Sequence, residues 1–133
     1  MVTSLPGPES TPCEVLVLGV RLDGRPLTGL TGRIDWRCGG RLSDLVRSGV
    51  IPTEGPLLLP APPVLAAGRL VLWATADITL DKLLICLKNL RVARPGLCPA
   101  DLGLDATAVR AALGPQAALF APSGEPVEAG QGG

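Results

Sequence analysis

The residues of this chain that could do chemistry are few and poorly grouped. Its 133 residues include no histidine and no tyrosine, so the commonest general base and metal ligand is absent. Ser-His-Asp and Cys-His catalysis are excluded within the chain on that ground alone. Cysteines stand at 13, 38, 86 and 98. No two lie at C-x-x-C spacing, and none has a histidine to complete a zinc site. Each sits in an apolar stretch, where a free thiol behaves as a small hydrophobe. Buried reduced thiols are expected, with a single disulfide as the alternative. Aspartates pair only near helix starts, Asp77 with Asp81 and Asp101 with Asp105. Capping and the helix dipole explain both pairs without catalysis. The chain is therefore expected to carry no catalytic residue, metal or cofactor, and not to be an enzyme.

Binding chemistry is better represented. Arg33, Arg37 and Arg41 recur at helical spacing and could grip a phosphate or an acidic protein face. The alternative is a solvated helix face on which Asp44 pairs with Arg37 or Arg41, worth roughly 0–1 kcal/mol. Trp36 falls on the wheel beside Gly29, Gly32 and Gly40, away from Ile34, Cys38 and Leu45. A tryptophan among glycines and arginines fits an interface anchor, or else packs under the proline-rich N-terminal segment. Trp36, Arg33, Arg37 and Arg41 are the candidate interface. Trp73, on an apolar strand, is expected in the core.

The elements that must position these residues alternate along the chain. Residues 1–12 read as a flexible lead-in, 13–122 as a single domain and 123–133 as a disordered tail. "CEVLVLGV" (13–20) is a nearly continuous apolar run, suiting a strand covered on both faces. From Gly29 to Gly49 the spacing predicts a helix with Ile34, Cys38, Leu42 and Leu45 on one face, Leu30 and Val46 at its margins. A Gly39-Gly40 pair interrupts it. Each glycine costs roughly 1 kcal/mol relative to alanine, and the expectation is that the pair lets the helix lie close against a neighbour. The alternative is a kink or break.

Two strands, 55–61 and 68–75, follow, and the prolines beside them favour an edge. Residues 80–90 predict a helix capped by Thr79 and ended by Pro95-Gly96. Ile85 and Cys86 spread its apolarity round the axis, so it is either deeply buried or covered by a partner. A strand at 97–102, a helix at 105–113 capped by Asp105 and a strand within 117–122 complete the pattern. Strands alternating with helices give an α/β fold with a mixed sheet between two helical layers, a three-layer α/β/α sandwich.

Composition bounds the partners. Formal net charge is zero, with 12 basic and 12 acidic residues, which lacks the strong cationic term of nucleic-acid binding. Prolines 60, 62 and 63 interrupt the longest apolar stretch, so no membrane span is expected. The N-terminus has no basic and apolar signal regions, and a cytoplasmic location follows as the expectation. Arg outnumbers Lys ten to two, a bias typical of a GC-rich, bacterial genome.

In order, "VLVLGV", "LTG", "GGRLSDLVRSGVI", "GPLLLP", "AGRLVLW" and "ITLDKLL" resemble the N-terminal domain of the M17 leucyl aminopeptidase family. That domain is macro-like and precedes a metal-dependent catalytic domain. The resemblance covers about residues 13–92 well and 97–122 loosely, and it implies a macro-domain-like mixed sheet. The catalytic domain and its metal ligands have no counterpart here, so peptidase activity is not implied. Where the family has a "GLG" turn after its second long strand, this chain has Trp73-Ala74-Thr75-Ala76-Asp77. Macro domains proper bind ADP-ribose through an aspartate near a "GDIT"-like turn, an asparagine and a glycine-rich loop. "ADIT" (76–79) is similar to the first, but it follows a different strand and suits helix capping equally well. The one asparagine, Asn89, falls inside a helix, and no G-x-G loop follows a strand. The resulting expectation is a non-catalytic interaction or regulatory module, acting on a protein partner or as a homo-oligomer. The alternative is a small-ligand domain for ADP-ribose or a nucleotide-like molecule.

Overall fold

The computed structural model describes residues 11–124 and 126–127. Its elements run β1 (Cys13–Val20), α1 (Gly29–Arg37), α2 (Arg41–Ser48), β2 (Pro56–Pro60), β3 (Ala67–Ala74), α3 (Leu80–Asn89), β4 (Pro95–Leu97), α4 (Ala106–Leu113), β5 (Ala118–Phe120) and β6 (Pro126–Val127). One mixed sheet has the order β2-β3-β1-β4-β5-β6. β1 pairs in parallel with β3 and β4, and β4 in parallel with β5, while β2 and β6 are antiparallel at the two edges.

β1 takes the centre because its side chains are apolar on both faces, which only a strand covered twice can bury. Leu16, Leu18 and Val20 point to one layer, packing with Leu30, Ile34 and Leu42 of α1 and α2. Val15 and Val17 point to the other, with Leu83 and Leu87 of α3 and Val109 of α4. The three-layer sandwich expected from the alternation is the observed fold. Trp73 lies in the second cluster, 3% exposed.

The long helix expected from Gly29 to Gly49 is two helices. Gly39 and Gly40 take φ values of +69° and +83°, the left-handed region that L side chains adopt at a cost. A methyl group on either would meet nothing within 4 Å. The pair is therefore a break and not a close-packing device, which corrects the expectation above. Asp35, in the last turn of α1, stabilises the break. Its carboxylate accepts Ser43 N at 3.0 Å and Ser43 Oγ at 2.5 Å, capping α2, whose own N-cap is Gly40. The apolar face survives the break, with Cys38, Leu45 and Val46 packed against the core.

β2 is an edge strand blunted by its prolines. Ala61 N donates to Gly68 O, and the two-residue alternation of an antiparallel ladder turns the N–H groups of Leu57 and Leu59 inward as well. The outward positions are Pro56, Leu58 and Pro60, of which only Leu58 has an N–H to offer. Such an edge resists strand addition.

Thr79 Oγ1 accepts Lys82 N at 3.2 Å and Asp105 Oδ2 accepts Ala108 N at 2.9 Å, so both expected caps are present. The expected strand at 97–102 is displaced: β4 begins at Pro95, and 98–104 is a series of turns. Pro95-Gly96 thus opens a strand, while α3 ends at Asn89 and the chain turns through Arg91 at φ 56°. Residues 1–10 of the expected lead-in, and most of the expected tail, lie outside the described residues. Within that tail, Pro126–Val127 pairs with β5. Cys13 and Cys98 are buried, Cys38 and Cys86 half-buried, and all four are free thiols.

Candidate functional site

The parallel strands β1 and β3 end together at Val20 and Ala74, and β4 ends three residues earlier, where Leu97 pairs with Val17. The chain leaves β1 for β3 over the α1/α2 layer and returns from β3 to β4 over the α3 layer. The boundary between β1 and β4 is therefore a topological switch point, where loops diverge and leave a crevice outside the carboxyl ends. A cleft of about 370 Å³ lies there, lined by Arg21, Leu27, Thr28, Thr75, Asp101 and Leu102 among others. Its lining comes from the β1–α1 and β4–α4 connections, far apart in the chain, with Thr75 from the start of the β3–α3 connection.

Asp101 is the residue that joins them. Its Oδ2 accepts Leu30 N at 2.6 Å and Thr31 N at 3.3 Å, amide donors at the start of α1 that have no partner within the helix. Asp101 was expected to flank the α4 start like Asp105; it caps a different helix. Gly29 is shaped by this contact: its φ is +63°, and a methyl group there would collide with the Asp101 carboxylate. Thr31, 2% exposed, donates its hydroxyl to Gly19 O at 2.7 Å and fixes α1 to the end of β1. A helix N-terminus is a ready anion site; here the chain's own carboxylate fills it. The remaining polar groups of the cleft are the Arg21 guanidinium, which reaches Asp23 at 3.3 Å, and the side chains of Thr28 and Thr75. Behind Asp101, burial pushes the Cys98 thiol up to about 11, so it stays protonated and unreactive at neutral pH.

Asp77 of the "ADIT" turn stands elsewhere. It accepts Gly55 N at 2.8 Å, Trp73 Nε1 at 2.8 Å and Lys82 Nζ at 2.6 Å. The Gly55 amide first, then Lys82 and Trp73, hold its carboxyl well below the usual carboxylate range. With these partners it locks the β2 entry, β3 and α3 together, and it does not line the cleft.

The residues singled out as an interface also lie outside the cleft. Trp36 is 77% exposed on the outer side of α1. Arg33, beside it, donates to Ser123 O at 3.0 Å, and Arg37 is likewise engaged. The break sets Arg41 on α2, at the mouth of an apolar groove with Leu45, Leu59 and Pro62. Asp44 pairs with Arg47, not with Arg37 or Arg41 as expected. The stripe of three arginines is thus divided between two helices. Among the described residues no group of three or more His, Cys, Asp or Glu side chains is placed to hold a metal ion, and no helix is long and apolar enough to cross a membrane.

The architecture is that of a macrodomain-like fold. Among solved structures the chain is similar to the macrodomain of Mycobacterium tuberculosis DarG, with a TM-score of 0.57 at 15% identity over 83% of this chain and 84% of that one. It is similar also to the macrodomain of Thermus aquaticus DarG, with a TM-score of 0.56 at 15% identity over 82% and 87%. No protein-family model matches the sequence, and no curated protein does. The likeness is one of fold, and neither neighbour is described as a peptidase domain.

Proposed function

We propose that this chain is a non-catalytic, macro-type binding domain whose cleft takes a nucleotide-like ligand of the ADP-ribose class. The observation that carries the reading is the cleft itself. It lies at the switch point of a macrodomain-like sheet and sets Arg21, Thr28 and Thr75 around leucine walls. Small-ligand sites join an apolar lining to a few convergent polar groups in this way, and about 370 Å³ lies within their usual range. Arg21 supplies the charge for a phosphate, and the threonines supply hydroxyls for a ribose. Resemblance to the peptidase family's N-terminal domain, which is macro-like and not itself catalytic, supports binding without turnover. A cytoplasmic location belongs to the same reading.

Asp101 sets the terms of binding. A diphosphate seeking the α1 amides competes with a covalently tethered carboxylate, so the unmodified chain binds weakly. Isothermal titration with ADP-ribose tests this. Arg21→Ala should weaken binding about tenfold, as loss of a charged hydrogen bond does. Asp101→Ala should strengthen it by a similar factor, while losing roughly 1 kcal/mol of stability as a missing cap. Silence at millimolar ligand from both the unmodified chain and a folded Asp101→Ala would remove the reading.

A second reading rests on Trp36. An exposed tryptophan beside Arg33 and Arg37 has the composition of a protein-binding hot spot. The same titration separates the two, because heat supports the cleft whereas silence leaves the α1 face as the functional surface.

A further inference from the structure

Arg41 stands apart from the other cations of the α1/α2 layer. Arg21 and Arg25 pair with Asp23, Arg47 pairs with Asp44, and Arg33 and Arg37 are engaged. The acids of α1 and α2 are committed as well, since Asp35 accepts both groups of Ser43 and Asp44 holds Arg47. Among the described residues Arg41 has no ion-pair or hydrogen-bond partner. It lies in the first turn of α2, the end of a helix at which the dipole disfavours a cation. Local electrostatics therefore do not favour a positive charge at this position.

Arg41 lines a groove of about 340 Å³ between α2 and the end of β2. Leu42 and Leu45 contribute from the helix, residues 59–63 from the strand and its exit, and Leu70 from β3. Among the described residues Arg41 is the only charged side chain of this lining. The 59–63 wall has no free amide: Leu59 N faces β3, Ala61 N donates to Gly68 O, and Pro60, Pro62 and Pro63 have none. The prolines also fix the backbone, so filling the groove costs little ordering. Cys38 lines the groove too. Burial first, and then Asp35, raise its thiol above the ordinary value, so it stays neutral and is no counter-ion for Arg41.

We infer that this groove binds a small apolar carboxylate, of the kind of a medium-chain fatty acid, with its head on Arg41 and its chain against the leucines. Small-ligand sites combine an apolar lining with a few placed polar groups, and about 340 Å³ falls within their range. A guanidinium fork matches the two oxygens of a carboxylate. The rest of the lining selects against any second polar group on the ligand, because that group would be buried without a partner. A nucleotide, polar on every side, does not fit such a groove. The site is thus separate from the cleft in chemistry as well as in place, and the inference stands whether or not a ligand binds in the cleft.

Calorimetric titration of the full chain with octanoate and with octanol tests it, in the original protein and in Arg41→Gln. Octanoate should bind saturably, and octanol about tenfold more weakly, as loss of a charged hydrogen bond implies. Arg41→Gln should weaken octanoate by a similar factor and leave octanol unchanged. Arg41 is exposed, so the variant should keep its native circular dichroism. Saturating octanoate should also slow alkylation of Cys38 in the original chain, which places the ligand in this groove. Silence with octanoate, equal affinity for octanoate and octanol, or affinity for octanoate that Arg41→Gln leaves intact overturns the inference.

Discussion

Asp77 and Asp101 show how differently two carboxylates of one small domain are used. Asp77 is only 10% exposed and is surrounded by an amide, an indole N–H and an ammonium group. Its folded pKa lies below the unfolded value of about 3.9. Its contribution to stability is therefore present above that pH and is lost as pH falls toward the folded value. Denaturant melts of Asp77→Asn should show a chain weaker than the original at pH 7, with the difference shrinking steadily below about pH 4. A gap that is constant with pH would mean that the charge contributes nothing. Local roles such as the Thr79 and Asp105 caps were legible in sequence, because donor and acceptor lie three residues apart. Asp101 was not. Its partners, Leu30 and Thr31, are about 70 residues away, and no local spacing encodes that meeting.

At the scale of elements, apolar periodicity identified β1, β3, α3 and α4 because each buries one continuous set of side chains. It also identified the buried face of α1 and α2, yet it did not reveal their separation. Leu30, Ile34 and Leu42 stay in phase across the break, so the hydrophobic pattern reads as one helix. The information lay in Gly39-Gly40 and in Asp35, whose carboxylate caps the second helix from the first. Gly40→Ala should destabilise the chain by about 1–2 kcal/mol, the cost of a left-handed L-residue, since the added methyl meets no neighbour. Chemical denaturation reads this directly. A neutral or stabilising effect would mean that the two helices can merge. β4 was misplaced by sequence because Pro95-Gly96 has the composition of a terminator, while parallel pairing with Val15 and Leu16 makes it the start of a strand.

For the whole molecule, the alternation of strand and helix patterns indicated an α/β sandwich, and the resemblance narrowed it to a macro-like sheet. The cleft was illegible for the same reason as Asp101: it forms only where loops from distant segments converge at the ends of β1, β3 and β4. The residues most conspicuous in sequence, Trp36 and its arginines, lie on the outer face of a helical layer away from it. Under the proposed reading, function belongs to the convergence of loops. The most direct test is amide chemical-shift mapping of the isotopically labelled chain during titration with ADP-ribose. The account predicts saturable shifts concentrated at Gly19, Arg21, Thr28, Thr75 and Ala100 to Gly103, with Trp36 and Ile85 unmoved. Shifts centred on Trp36, or none at saturating ligand, would contradict it.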